Sequence, residues 1–277
     1  MNRKDSRRSP FRIAAFPFRG GKWLLALKLV KLIPPSRIYV EVFGGAASVL
    51  LTKPPSQIEV YNDVNGQLVN LFETFRNHPL LFLERCQHLL YSRQLYETWK
   101  CQLAADFHGA DLDSVEAAVR TAYSITSSFT GDPTRGWAFD RSGTGGGSNR
   151  WTSIHDRISY VSKRLQRVSI DHLDFRDCIK NWDTPETLFF LDPPYYNGES
   201  GFYAFTSEDH RDLCALLGKT KGKWMLTYDD SDYIRQSYRG FHIQEISSVL
   251  SSQKVAQGGK RVRLKQIVIA NFPLGVD

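Results

Sequence analysis

Val40-Glu41-Val42-Phe43-Gly44-Gly45-Ala46-Ala47-Ser48 runs from a strand into small residues and then into the apolar stretch Val49-Leu50-Leu51. Small residues let a ligand approach the backbone, and exposed amides at a helix start favour a carboxylate. The Lys-Ser/Thr pair of a phosphate loop is missing, and so is the full glycine spacing of the dinucleotide fingerprint. The next strand, Ile58-Glu59-Val60-Tyr61, delivers Asn62-Asp63, an acid placed to accept both hydroxyls of a ribose. A nucleoside bearing a carboxylate fits this unit better than a dinucleotide, although a generic tight turn would read the same way.

Working outward, strand-like runs rich in β-branched and aromatic residues recur at 38–43, 58–61, 187–191, 223–228 and 264–271. Strands spaced by helical stretches predict an open α/β sheet. Residues 66–103 read as helix interrupted at Pro79, and Val115, Ala118, Val119, Ala122 and Ile125 share one helical face. A polar, glycine-rich stretch from Thr130 to Arg150 reads as an exposed loop or hairpin. Beyond it Ile154, Ile158, Val161 and Leu165 form an inner stripe, with Arg157, Lys163, Arg164 and Arg167 outside.

Leu188-Phe189-Phe190-Leu191-Asp192-Pro193-Pro194-Tyr195 is a buried strand ending in an acid, two prolines and an aromatic ring. The prolines remove two amide donors and leave carbonyl acceptors at the strand's carboxyl end. An aromatic amino group has two N–H bonds, so Asp192 can accept one and the Pro193 carbonyl the other, with Tyr195 stacked on the ring. A rigid turn after a strand is the plain alternative.

Thirty-six Lys and Arg against twenty-nine Asp and Glu give a net charge of +7, which favours a polyanionic partner. Cys86, Cys101, Cys178 and Cys214 show no paired spacing, which argues against zinc and a disulfide framework and for a reducing cytoplasm. The histidines show no metal spacing. Neither a signal core nor a membrane span is expected, and the cluster Arg3, Lys4, Arg7, Arg8 reads as a solvated tail.

These elements together resemble the Dam-like, D12 class of DNA adenine-N6 methyltransferases. Phe18-Arg19-Gly20-Gly21-Lys22 resembles that family's aromatic-x-Gly-Gly-Lys cofactor motif, Phe43-x-Gly45-x-x-Ser48 its methionine-binding loop, and Asp192-Pro193-Pro194-Tyr195 its catalytic motif. Phe18 stands where tryptophan is common and Ala47 where glycine is common, and Thr130 to Arg150 does not match the Dam hairpin.

The resemblance implies a mostly parallel seven-stranded, Rossmann-like methyltransferase sheet, from residues 1–65 and 166–277, with a helical target recognition domain inserted over 66–165. It implies S-adenosylmethionine, no metal, and a cofactor site of Phe18, Gly20, Gly21, Lys22, Glu41, Phe43, Gly44, Gly45, Ala46, Ala47, Ser48, Asp63, Val64, Asp174, Phe175 and Asp192. The catalytic residues would be Asp192, Pro193, Pro194 and Tyr195. Tyr196, Phe202, Tyr203 and Phe205 are candidate stacking neighbours for a base flipped out of double-stranded DNA.

Arg135, Arg141, Asn149 and Arg150 in the loop about 130–150, with Lys254, Lys260 and Arg261, are the expected DNA contacts. A monomer or a homodimer, nucleoid-associated in a bacterial or phage context, fits this reading. The competing readings are an N4-cytosine methyltransferase, a protein glutamine methyltransferase, which usually has Asn before Pro-Pro-Tyr, and a DNA-binding regulator without catalysis.

Overall fold

The apolar runs separated by helices assemble into one sheet. The structure is a computed structural model and describes residues 14–104, 113–139, 146–196, 203–249 and 263–275. Strands β1 (Ile38–Glu41), β2 (Ile58–Asn62), β3 (Val168–Asp171), β4 (Thr187–Leu191), β5 (Lys223–Asp229), β6 (His242–Val249) and β7 (Arg263–Ala270) lie in the order β3-β2-β1-β4-β5-β7-β6. Strands β1 to β5 pair in parallel, and β7 runs antiparallel between β5 and β6. The expected seven-stranded, mostly parallel α/β fold is the one observed.

The central strands are apolar on both faces because helices cover both. Tyr39, Leu188, Phe190, Met225 and Val268 point to one face, and Val40, Phe189, Leu191, Trp224, Leu226 and Ile267 to the other. The two strands absent from the sequence reading, β3 and β6, are the edges of the sheet. Their sequences, Val-Ser-Ile-Asp and His-Ile-Gln-Glu-Ile-Ser-Ser-Val, mix polar and apolar residues because an edge strand is not enclosed by neighbours.

In chain order the helices are α1 (Ala26–Leu32), α2 (Ser48–Thr52), α3 (Gly66–Asn77), α4 (Pro79–Gln87), α5 (Arg93–Ala104), α6 (Ser114–Ser127), α7 (Gly146–Thr152), α8 (Ile154–Leu165), α9 (Phe175–Trp182), α10 (Ser207–Leu217) and α11 (Asp232–Ser237). Asn65 caps α3 by accepting from the amides of Gln67 and Leu68, and Pro79 opens α4, so the break read at Pro79 is real. Helices α9 to α11 cover the second face through Phe175, Ile179, Leu213 and Ile234.

The segment between β2 and β3 carries α3 to α8 and shares a continuous core with the first face of the sheet. Phe72 and Phe75 of α3, Tyr123 of α6 and Ile158 of α8 belong to the same apolar cluster as Tyr39, Tyr61 and Leu188. One outward assignment is corrected: Arg164 on α8 is half-buried, with its head group turned inward. Its guanidinium bonds both carboxylate oxygens of Glu59 and the Leu50 carbonyl, because the helix lies on β2 and α2 at that point.

Candidate active site

The chain passes from β1 outward to β2 and β3, then returns to place β4 on the other side of β1. Such a reversal opens a crevice at the carboxyl ends of the strands, where α/β proteins bind ligands. A cavity of about 420 Å³ lies there, within the roughly 300–1,000 Å³ usual for small-molecule sites.

One wall is the loop after β1. Gly44 has no room for a side chain, since a Cβ would come within 2.2 Å of the Tyr61 ring. Gly45 and Ala47 adopt φ of 49° and 53°, the left-handed region, so the chain turns sharply into α2. Asp63 pins this loop: its carboxylate accepts from the amides of Gly45 at 2.8 Å and Asn65 at 2.9 Å and from the Tyr203 hydroxyl at 3.1 Å. Burial pushes the Asp63 pKa up. The Ser48 hydroxyl is buried with no partner among the described residues and faces this cavity wall. Glu41, 2% exposed, accepts from the Tyr39 hydroxyl at 2.8 Å and the Leu50 amide at 2.7 Å, and burial raises its pKa to about 8.

The strap from Phe18 to Lys22 forms the roof. Gly20 takes a φ of 77°, and the Gly21 amide donates to the Phe18 carbonyl at 3.0 Å. That turn aims Lys22 downward, where its ammonium lies 2.7 Å from Asp192 Oδ1, 3.1 Å from the Gly20 carbonyl and 4.9 Å from the centre of the Tyr195 ring. Asp192, 17% exposed, also accepts from the Thr227 hydroxyl at 2.7 Å, again on Oδ1. Pro193, Pro194 and Tyr195 complete this wall, and burial raises the Tyr195 phenol.

The structure therefore brings Phe18, Gly20, Gly21, Lys22, Glu41, Phe43, Gly44, Gly45, Ala46, Ser48, Asp63 and the Asp192–Tyr195 corner around one space. Four expected cofactor residues are not in its wall. Ala47 is packed inward; Val64, 54% exposed, and Asp174 stand outside the carboxyl ends of β2 and β3. Phe175 lies behind Phe43 and Phe205, with ring centres 5.7 and 5.6 Å away. Asp174 caps α9 through the Arg176 amide.

Among the stacking candidates, Tyr196 is stacked on Tyr233 at 4.1 Å, Phe205 packs against Phe43, and Tyr203 is engaged with Asp63. Phe202 lies outside the described residues.

Only the first part of the loop read as DNA-contacting closes as a hairpin: Ser128 bridges Trp137, and the Phe129 amide donates to the Gly136 carbonyl at 2.7 Å, whereas residues 146–150 belong to helix α7, which corrects the loop reading there. The hairpin turn reaches the cavity. Gly131, at φ 75°, abuts the Pro17 carbonyl, and buried Asp132 accepts from Arg19 at 2.8 Å. Arg135 and Asn149 are exposed, whereas Arg150 is half-buried and its guanidinium donates to the carbonyls of Gly146 and Ser128. Arg141, Lys254, Lys260 and Arg261 lie outside the described residues. Sequence reasoning missed Asp132, Thr227, Asp229 and Gln266, all but Thr227 in the cavity wall, and it read Tyr203 as a stacking ring where the structure makes it a partner of Asp63. A polar residue inside an apolar strand, as at Thr227 and Gln266, is the signal that could have found two of them.

Among the described residues no cluster of His, Cys, Asp and Glu is placed to hold a metal ion, and no helix is long and apolar enough to cross a membrane. A family model described as D12 class N6 adenine-specific DNA methyltransferase matches residues 18–251. The chain is 24% identical over 271 residues to the type II methyltransferase M1.LlaDCHI of Lactococcus lactis subsp. cremoris, covering 91% of this chain and 93% of that protein. It is 22% identical over 249 residues to the type II methyltransferase M.CviBI of Paramecium bursaria Chlorella virus NC1A, covering 84% and 89%. Among solved structures, the rRNA methyltransferase aviRa from Streptomyces viridochromogenes matches at 12% identity and a TM-score of 0.36, over 95% of this chain and 86% of that one. A score that low carries no argument about this chain.

Proposed function

Because the chain belongs to the D12 class of N6 adenine-specific DNA methyltransferases, we propose that its cavity holds S-adenosylmethionine against the β1–β2 wall and a flipped adenine against Asp192. The observation that carries this reading is the single space shared by the Gly44–Ser48 loop, Lys22 and the Asp192–Tyr195 corner. The residues fit the cofactor. Ser48 offers a buried hydroxyl without a partner among the described residues, Glu41 an acid for the methionine ammonium, and Asp63 an acceptor for the ribose diol, which would take the place of the Tyr203 hydroxyl.

The cofactor supplies an activated sulfonium methyl; the protein supplies position and charge. Lys22 and Thr227 grip Oδ1 of Asp192 and so set the direction of its other oxygen, which accepts one N–H of the adenine amino group. The Pro193 carbonyl accepts the second, and the nitrogen lone pair then faces the methyl. Tyr195 stacks on the ring. A base within the duplex cannot reach a strand end inside a cavity, so it must leave the stack at a cost of a few kcal/mol. We assign sequence recognition to the segment 66–165, with Arg135 and Asn149 on its exposed surface.

The test is single-turnover methyl transfer to DNA with mapping of modified bases. Asp192→Ala should bind cofactor and DNA nearly as the wild type, because phosphate contacts supply most DNA affinity, yet lose about a hundredfold to a thousandfold in rate. Wild-type rates in that variant would overturn the mechanism.

A further inference from the structure

Asp132 lines the cavity, yet the transfer step proposed above does not use it. It is 2% exposed, and its carboxylate accepts from the Thr134 amide at 2.9 Å, the Thr134 hydroxyl at 2.6 Å and the Arg19 guanidinium at 2.8 Å. Burial works against the charged carboxylate, but the Thr134 and Arg19 donors outweigh it and hold Asp132 below the ordinary carboxylate range. An ionised acid is therefore enclosed where the hairpin meets the strap.

Several contacts join hairpin and strap at that point. The Arg19 amide donates to the Gly131 carbonyl at 3.4 Å, Arg19 pairs with Asp132, and a Cβ on Gly131 would come within 2.5 Å of the Pro17 carbonyl oxygen. The turn that brings Gly131 and Asp132 there passes through the left-handed region at Thr130, φ 65°, and at Gly131, φ 75°. That region is uncommon for a β-branched residue, and such a conformation persists where the surrounding structure imposes it. On the other side, the strap carries the site. The Phe18 ring lies 3.3 Å from where a Cβ on Gly45 would stand, and Lys22 reaches Asp192 at 2.7 Å. Gly20 and Gly21 bring no side chain to anchor the strap between them, so contacts of the flanking residues hold it in place.

We propose that Asp132 is a positioning residue for methyl transfer: by holding Arg19 it fixes the strap, and the strap sets where Lys22 places the Asp192 carboxylate. The proposal rests on the reading of Asp192 as the acceptor for the adenine amino group. A displacement of about 1 Å at a reacting centre can cost a hundredfold in rate, even when the altered residue touches neither reactant.

The experiment is single-turnover methyl transfer by the full chain at saturating S-adenosylmethionine and DNA, with Asp132→Asn, Arg19→Met and the two combined. Asp132→Asn keeps an oxygen for the Thr134 donors and removes the charge that faces Arg19. Each single variant should lose about ten- to a hundredfold in rate, and the combined variant no more than the slower of the two, because both cut one link. In a Lys22→Met background Asp132→Asn should cost nothing further. A lowered melting temperature with a wild-type rate per folded molecule would mean a structural role only and would overturn the proposal, as would a full additional loss beside Lys22→Met. If Asp132→Asn does not fold, Arg19→Met, which leaves the hairpin's own bonds to Thr134 in place, decides by the same rate. An impaired Asp192→Ala beside wild-type rates in Asp132→Asn and Arg19→Met sinks this inference alone, whereas a wild-type rate in Asp192→Ala sinks the reading it rests on.

Discussion

Glu41 shows how one position serves fold and site at once. It ends β1 under the cavity, and its Oε2 accepts from Tyr39 and Leu50, yet burial still raises its pKa from 4.5 to about 8. Between those two values the folded chain keeps a proton that the unfolded chain has released. Stability therefore falls as pH rises through that window. Glu41→Gln keeps an oxygen for both donors and removes the titration. We expect the ligand-free variant to melt near the wild type at pH 5 and above it at pH 9, by on the order of a few kcal/mol. At pH 9, where the wild-type acid is ionised, the same variant should bind cofactor more weakly, since the proposed partner of the methionine ammonium then carries no charge. Calorimetric melts and titrations at both pH values check the pair; parallel pH trends in the two proteins would count against the buried-acid account. The acid itself was legible in the sequence, but its burial was not, because a strand-end carboxyl is as often solvated as enclosed.

At the scale of elements, α8 is tied to the cofactor half by a buried ionic knot. Arg164 from α8 and Lys53 after α2 both bond Glu59 of β2; Arg164 also takes the Leu50 carbonyl, whose own amide donates to Glu41. Burial works to raise the Glu59 carboxyl, but Arg164 and Lys53 outweigh it and hold it below the ordinary range. Breaking a buried pair from one side leaves an uncompensated charge and costs about 3–5 kcal/mol. Arg164→Ala should show that loss in urea unfolding, whereas Lys163→Ala, one residue away and exposed, should change stability by less than about 0.5 kcal/mol. Equal effects would mean that the knot contributes little. The helical period of α8 was readable from Ile154, Ile158, Val161 and Leu165. Period alone assigns Arg164 to the flank of the stripe, and only the packing angle against β2 decides that its head is buried.

At the scale of the molecule, a net charge of +7 predicts DNA binding that weakens with salt, the log of affinity falling linearly with the log of salt concentration. Arg135→Ala removes an exposed cation from the hairpin and should flatten that slope by about one unit while weakening all DNA sequences alike. An unchanged slope and unchanged affinity in filter-binding titrations would place the DNA elsewhere. The features that the sequence determined by itself are the local ones: the strand-to-loop turn at Gly44 and Gly45, the Asp192-Pro193-Pro194-Tyr195 corner, and the helical periods of the segment 66–165. Each is written in consecutive residues, where sterics and periodicity act without help from the rest of the chain. Tertiary structure alone decided that Lys22 grips Asp192, that Asp132 of the hairpin meets Arg19 of the strap, and that Gln266 faces the cavity. A polar side chain in a strand has no neighbours across the sheet until strand order and register are set, and those depend on which faces the distant helices cover.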